Sequence, residues 1–189
     1  MTLDLPALHA RAVTNTQLTV DAITPAQLHD PTPCGDWDIT ELLHHVVYGN
    51  LWVAPLVAGE TIEEVGERFE GDILADDISD AYRSSALSAV ESFSAPGAME
   101  APCLVSYGPV PGSVYCGHRF IDVLVHGWDL AAGTGGNTSL PLDLVEACIE
   151  VVLPQGEMLG GSGAFGTVAD LGTDAAPQTR LLALLGRSG

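Results

Sequence analysis

Lysine is missing altogether, and six arginines face 25 acidic residues, for a formal charge of -19. A field of that sign repels phosphate backbones and anionic lipid surfaces, so neither nucleic acid nor a membrane is expected as a partner. The same excess of carboxylates favours a nearby divalent cation. Cysteine is scarce: Cys34, Cys103, Cys116 and Cys148 lie far apart with no C-x-x-C pair, which excludes a zinc knuckle or compact disulfide framework and reads as reduced thiols. Long hydrophobic runs are lacking too. No stretch nears the roughly 18 apolar residues of a membrane span, and no basic segment precedes an apolar run at the start, so the cytoplasm is the expected location.

What is present is a chain of 189 residues, 47% of them apolar, enough for one core and a single domain over residues 1–189. Its periodicity is mainly helical. A first helix is expected from about Leu3 to Ala22, before the breaks at Pro25 and Pro31 to Pro33. A second opens on Asp38 as N-cap with Glu41 three residues later, Trp37 stapling onto Leu42, and runs to about Ala54 with Pro55 as its stop. A third fits Ile78 to Phe93. Between Met99 and Val110, strand-like residues broken by Pro and Gly predict a short hairpin or an ordered loop. Gly112 opens a fourth helix that reaches about Ala132 and ends at Gly133, Gly135 and Gly136. A fifth spans Leu142 to Leu153, the segment from Gly156 to Gly172 is glycine-rich and irregular, and Thr179 to Leu185 forms a short final helix.

The fourth helix carries the chemistry. Its apolar residues fall almost all the way round, the mark of a buried helix, yet His118, Asp122 and His126 recur at steps of four and share one face, with Asp129 three residues on. Buried imidazole and carboxylate are costly unless paired or bound to metal. Asp122 and His126 stand one turn apart, so both heads reach a single ion. The second helix offers His44 and His45 as a third ligand. His45 lines up with Leu42, Gly49 and Trp52, where Gly49 permits another backbone to come close, and that favours His45. Two imidazoles and one carboxylate leave an open coordination position, as in catalytic rather than structural zinc. Asp129 is placed to accept the second ring N–H of His126. His118 is an extra ligand, a proton shuttle or, first in order, a partner of Asp122. Cys34 reads as a packed thiol, Trp37 and Trp128 as staple and core, and the acids Glu60 to Glu67 and Asp76 to Asp80 as solvated faces. A polar line satisfied by internal hydrogen bonds, without metal, is the plain alternative.

Two segments, Thr32-Pro-Cys-Gly-Asp-Trp-Asp-Ile-Thr-Glu-Leu-Leu-His-His-Val and Asp122-Val-Leu-Val-His-Gly-Trp-Asp-Leu-Ala, resemble an actinobacterial family of metal-binding proteins. That family sits in the DinB-like superfamily beside the mycothiol-dependent maleylpyruvate isomerases, and the likeness covers nearly the whole chain. The resemblance implies a DinB-like up-and-down four-helix bundle, here with extra short C-terminal helices and the hairpin. It implies one divalent ion, zinc or nickel, held by His45, Asp122 and His126, although Asp122 stands where the isomerase branch carries a glutamate. It further implies a metal-dependent thiol transferase or isomerase that activates a low-molecular-weight thiol, with mycothiol as co-substrate, against a small electrophilic substrate. A non-catalytic metal-binding or ligand-sensing module, closed by a further ligand such as His118, is the rival reading. Either would work as a monomer or homodimer.

Overall fold

A computed structural model describes residues 3–155 and 171–187. The chain is mainly helical and divides into two compact units, Met1–Asn137 and Thr138–Gly189. The expectation for Gly156 to Gly172 falls almost wholly outside the described residues.

In the first unit, α1 (Leu5–Val20) is capped by Asp4, whose carboxylate accepts from the Ala7 N–H at 3.2 Å. It buries His9, Ala12, Val13, Thr16 and Val20, one face of a 3.6-residue repeat. Next, α2 (Ile39–Leu51) starts on the expected box: Asp38 accepts from the Glu41 N–H at 2.9 Å and Glu41 from the Asp38 N–H at 3.0 Å. Two short helices follow, α3 (Val53–Val57) and α4 (Ile62–Val65), then α5 (Ile78–Ser94), capped by Asp77. An antiparallel hairpin, β1 (Pro102–Val105) with β2 (Gly108–Pro111), leads straight into α6 (Gly112–Gly133).

One expectation needs correction. The second helix breaks at Trp52, before Pro55, and Pro55 sits inside the first turn of α3. First-turn N–H groups have no intrahelical acceptor, so a proline there costs no hydrogen bond. Trp37 is 38% exposed and lies with its ring 4.9 Å from that of His45, against one side of the histidine.

The four long helices pack in a cycle: α1 against α5 and α6, and α2 against the same two. Helices α1 and α2, adjacent in the chain, therefore face each other across the core, and so do α5 and α6. Helices α1 and α6 come close at Gly127, where a Cβ would stand 2.2 Å from Thr16 Oγ1; the Thr16 hydroxyl donates to the Val123 carbonyl at 3.0 Å. Phe120, Leu124 and Leu130 of α6 and Leu42, Leu43 and Val46 of α2 are fully buried between the layers. Hydrophobic burial of this kind, about 1.5–3 kcal/mol for each large side chain, holds α2 and α6 in register.

In the second unit, α7 (Leu142–Val152) runs into a 3-10 turn (Leu153–Gln155) and packs on α8 (Pro177–Leu184). Gln178 ties the two: its amide donates to the Thr138 carbonyl at 2.8 Å and its oxygen accepts from the Leu140 N–H at 2.9 Å. Among the described residues no helix is long and apolar enough to cross a membrane.

Candidate metal centre

Because α2 and α6 are neighbours, His45 is carried to the turn of α6 that bears Asp122 and His126. The Nε2 atoms of both histidines lie 3.4 Å from one oxygen, Asp122 Oδ1. One ligand atom from each of the three residues falls within 4.8 Å of the others. A separation of 3.4 Å is long for a hydrogen bond to a carboxylate. It is, however, about the spacing between ligands of a tetrahedral ion bound at about 2.0–2.1 Å. The donor set therefore fits a small divalent cation. The imidazole planes meet edge to face, 82° apart with centroids 5.1 Å from each other.

Two of these side chains are held from behind. His126, 9% exposed at its side chain, presents Nδ1 to Asp129 Oδ2 at 2.9 Å, and Asp129 is wholly buried. Accepting the Nδ1 proton leaves Nε2 to face the other two heads. Asp122 has its second oxygen, Oδ2, in an ion pair with Arg119 Nη1 at 2.8 Å. Arg119 is itself buried; Nη2 donates to Asn50 Oδ1 at 2.9 Å and to the Val46 carbonyl at 3.3 Å. Asn50 continues to Ser85 on α5 at 3.4 Å, so a buried polar chain crosses three helices and ends at the centre.

The electrostatics follow from this arrangement. Burial opposes charge on Asp122, but Arg119 and the two imidazoles outweigh it and hold the carboxyl well below its usual range. Burial likewise opposes the His126 imidazolium, yet Asp122, with hydrogen bonds to Asp129 and Cys34, holds it well above the ordinary histidine value.

Three further residues differ from the sequence reading. His118, expected first as a partner of Asp122, has Nδ1 at the Tyr107 hydroxyl, and the ion pair of Asp122 is with Arg119. Gly49 makes room for that guanidinium rather than for a backbone: a Cβ there would lie 2.1 Å from Nη1. Cys34 stands near His126 and Asp129, the three offering ligand atoms within 4.8 Å of one another. Arg119 left a usable signal, a cation three residues before Asp122 in a helix apolar on nearly every side. Cys34 left none, since only the loop between Pro31 and Asp38, closed by their β-bridge, brings it back.

A cleft of about 530 Å³, lined by Trp37, Thr40, Glu41, His44, Tyr48 and Glu70, reaches His45.

Residues 9–131 match the family described as the mycothiol maleylpyruvate isomerase N-terminal domain. Uncharacterized proteins of two Mycobacterium tuberculosis strains are 37% identical over 164 residues, 86% of this chain and 86% of theirs. Crystal structures of the mycothiol-dependent maleylpyruvate isomerase, one of them a mutant, superpose with a TM-score of 0.67 at 17% identity, covering 93% of this chain and 81% of that one. At that identity the likeness is one of fold.

Proposed function

Since the chain belongs to the mycothiol maleylpyruvate isomerase N-terminal domain family, we propose that it is a metal-dependent enzyme that uses a mycothiol-type thiol on a small electrophile, with His45, Asp122 and His126 holding one divalent ion. The observation that carries the reading is the pair of 3.4 Å separations around Asp122 Oδ1. Bound there, zinc or nickel lowers the pKa of a coordinated thiol or water and supplies a nucleophile at neutral pH.

The chain's own groups divide the remaining work. Asp129 orients His126, and Arg119 draws off one Asp122 oxygen so that the other points at the ligand cluster. Trp37 screens the His45 ring from water on one side. The cleft beyond His45 is rich in acceptors, with Glu41, Glu70, Thr40 and the Tyr48 hydroxyl on its walls. Such a surface suits the hydroxyls of a sugar-bearing thiol.

Elemental analysis of the purified protein beside His45→Ala and Asp122→Ala tests the centre. About one equivalent of metal, lost in both variants, is expected; a metal-free wild type that stays so after reconstitution overturns the reading.

Cys34 supports a second reading, a closed site in a non-catalytic module, because its thiol lies near His126. Cobalt substitution without added thiol separates the two. A thiolate-to-cobalt band that disappears in Cys34→Ser means closure by protein, and exchangeable water at the ion means an open position.

A further inference from the structure

The chain between α4 and α5 lies along one stripe of α2. That stripe is made by His44, Tyr48 and Trp52, which stand at steps of four at the C-terminal half of the helix and its cap. Three consecutive residues dock on it in reverse order. Phe69 meets Trp52 edge to face with centroids 6.1 Å apart, the Tyr48 hydroxyl donates to Glu70 Oε1 at 3.0 Å, and His44 Nε2 lies 3.2 Å from the Gly71 carbonyl oxygen.

Buried anchors flank this strap, Val65 at 3% exposure and Leu74 at 5%. Between them, from Gly66 to Ile73, no residue is buried. Other hydrogen bonds of the strap stay local: the Arg68 N–H donates to the Val65 carbonyl at 3.2 Å, the Glu70 N–H to the Glu67 carbonyl at 3.1 Å, and the Arg68 guanidinium pairs with Glu60 at the surface. Gly66 and Gly71 have φ of +52° and +96°, which gives the backbone rotational freedom on both sides of Phe69 and Glu70. A segment so lightly packed opens before the core does.

The latch is built from cleft residues. His44, Tyr48 and Glu70 line the cleft that reaches His45, and Tyr48 and Trp52 line a second cleft of about 330 Å³. Lifting Phe69 and Glu70 therefore removes a wall of the first cleft and frees Tyr48, the side chain common to both.

We propose that Gly66–Ile73 is a lid, latched by Tyr48 and Glu70, whose opening sets the size of the thiol that reaches the ion. The selection by size rests on the thiol-enzyme reading above. A small thiol passes the closed lid, because the His45 side chain is 38% exposed with the strap in place. A sugar-bearing thiol needs the wider passage.

Trypsin reads the lid directly, because a chain without lysine offers it arginines alone. Arg68 lies in the lid, Arg83 in α5 and Arg119 in α6. Cleavage requires the segment to leave its folded place. Initial rates on the full chain, read by mass spectrometry, are expected to be much higher after Arg68 than after Arg83 or Arg119. Tyr48→Phe removes the latch hydroxyl and should speed the Arg68 cut about threefold to tenfold. Val123→Ala, in the buried core of α6, should speed the Arg119 cut and leave the Arg68 rate alone. A cut at Arg68 that rises in step with Arg119 in Val123→Ala, or that ignores Tyr48→Phe, overturns the lid.

Size selection is read on cobalt-loaded protein, by the growth of the thiolate-to-cobalt band after mixing with mercaptoethanol or thioglucose. Tyr48→Phe is expected to speed the arrival of thioglucose at least about threefold and leave mercaptoethanol unchanged. Equal acceleration of both, or of neither, overturns the selection. The trypsin cut needs neither metal nor thiol. A chain that forms no such band refutes the thiol-enzyme reading, and the lid is then decided by Arg68 alone.

Discussion

Nδ1 of His126 lies 2.9 Å from Oδ2 of Asp129, a carboxylate with no exposed surface. Burying an acid so completely is costly, and the imidazole beside it is the partner that offsets the cost. The pair thus fixes both the orientation and the tautomer of the ring. Asp129→Asn keeps the size of the side chain and removes its charge. Affinity for zinc, read by competition with a chromophoric chelator, is expected to fall about 10–100-fold, while the helical circular dichroism is unchanged. Unaltered affinity would show that Asp129 serves packing alone.

His45 gives a cleaner separation of metal from fold, because its side chain is 38% exposed. Zinc at a hundredfold excess over Kd is expected to raise unfolding free energy by about 2.7 kcal/mol in the wild type. The same addition to His45→Ala should leave its urea midpoint where it was. An equal zinc response in both would place the ion elsewhere.

Gly49→Ala puts a methyl group 2.1 Å from Nη1 of Arg119 and 2.6 Å from its central carbon. The guanidinium is clamped by Asp122, Asn50 and the Val46 carbonyl and cannot swing away freely. A loss of about 1–3 kcal/mol of stability is expected, measured by urea unfolding, together with weaker metal binding as Asp122 loses its support. A neutral outcome would mean that Arg119 has a second resting place.

His9 is fully buried, packs edge to face on Phe93 with centroids 5.1 Å apart, and neither ring nitrogen finds a partner among the described residues. Burial, helped by the charge of Arg119, pushes its pKa from 6.5 down to about 3. Between those values the unfolded chain binds a proton that the folded chain refuses. Stability therefore falls as pH drops from 6.5 toward 3, by roughly 3–5 kcal/mol in all from this group. His9→Phe is expected to flatten that part of the acid limb in urea titrations taken at successive pH values. An acid limb of the same slope in the variant would clear His9 of the effect.

Much of this centre is legible in the chain itself. The Asp38 and Glu41 box starts α2 where expected, and the step of four puts Asp122 and His126 on one turn. The face shared with Gly49 separates His45 from His44. What escapes is what depends on a partner across an interface. Arg119 stands out on an apolar helix, but its partners Asn50 and Val46 and the gap at Gly49 lie on another helix that spacing along α6 does not reveal. Cys34 is placed by a loop whose path no periodicity encodes. The break at Trp52 and the four residues of α4 are too short and too dependent on context to stand out from their neighbours.

Asp122 and His126 share a turn of α6, whereas His45 is 77 residues from Asp122 along the chain. Two of the three residues are therefore together as soon as α6 forms, and the third waits for a long loop to close, which is slow and entropically opposed. An interaction completed after the rate-limiting barrier stabilises the native state without lowering that barrier. Metal loading should accordingly prolong the lifetime of the folded chain, by slowing its escape, far more than it hastens the route in.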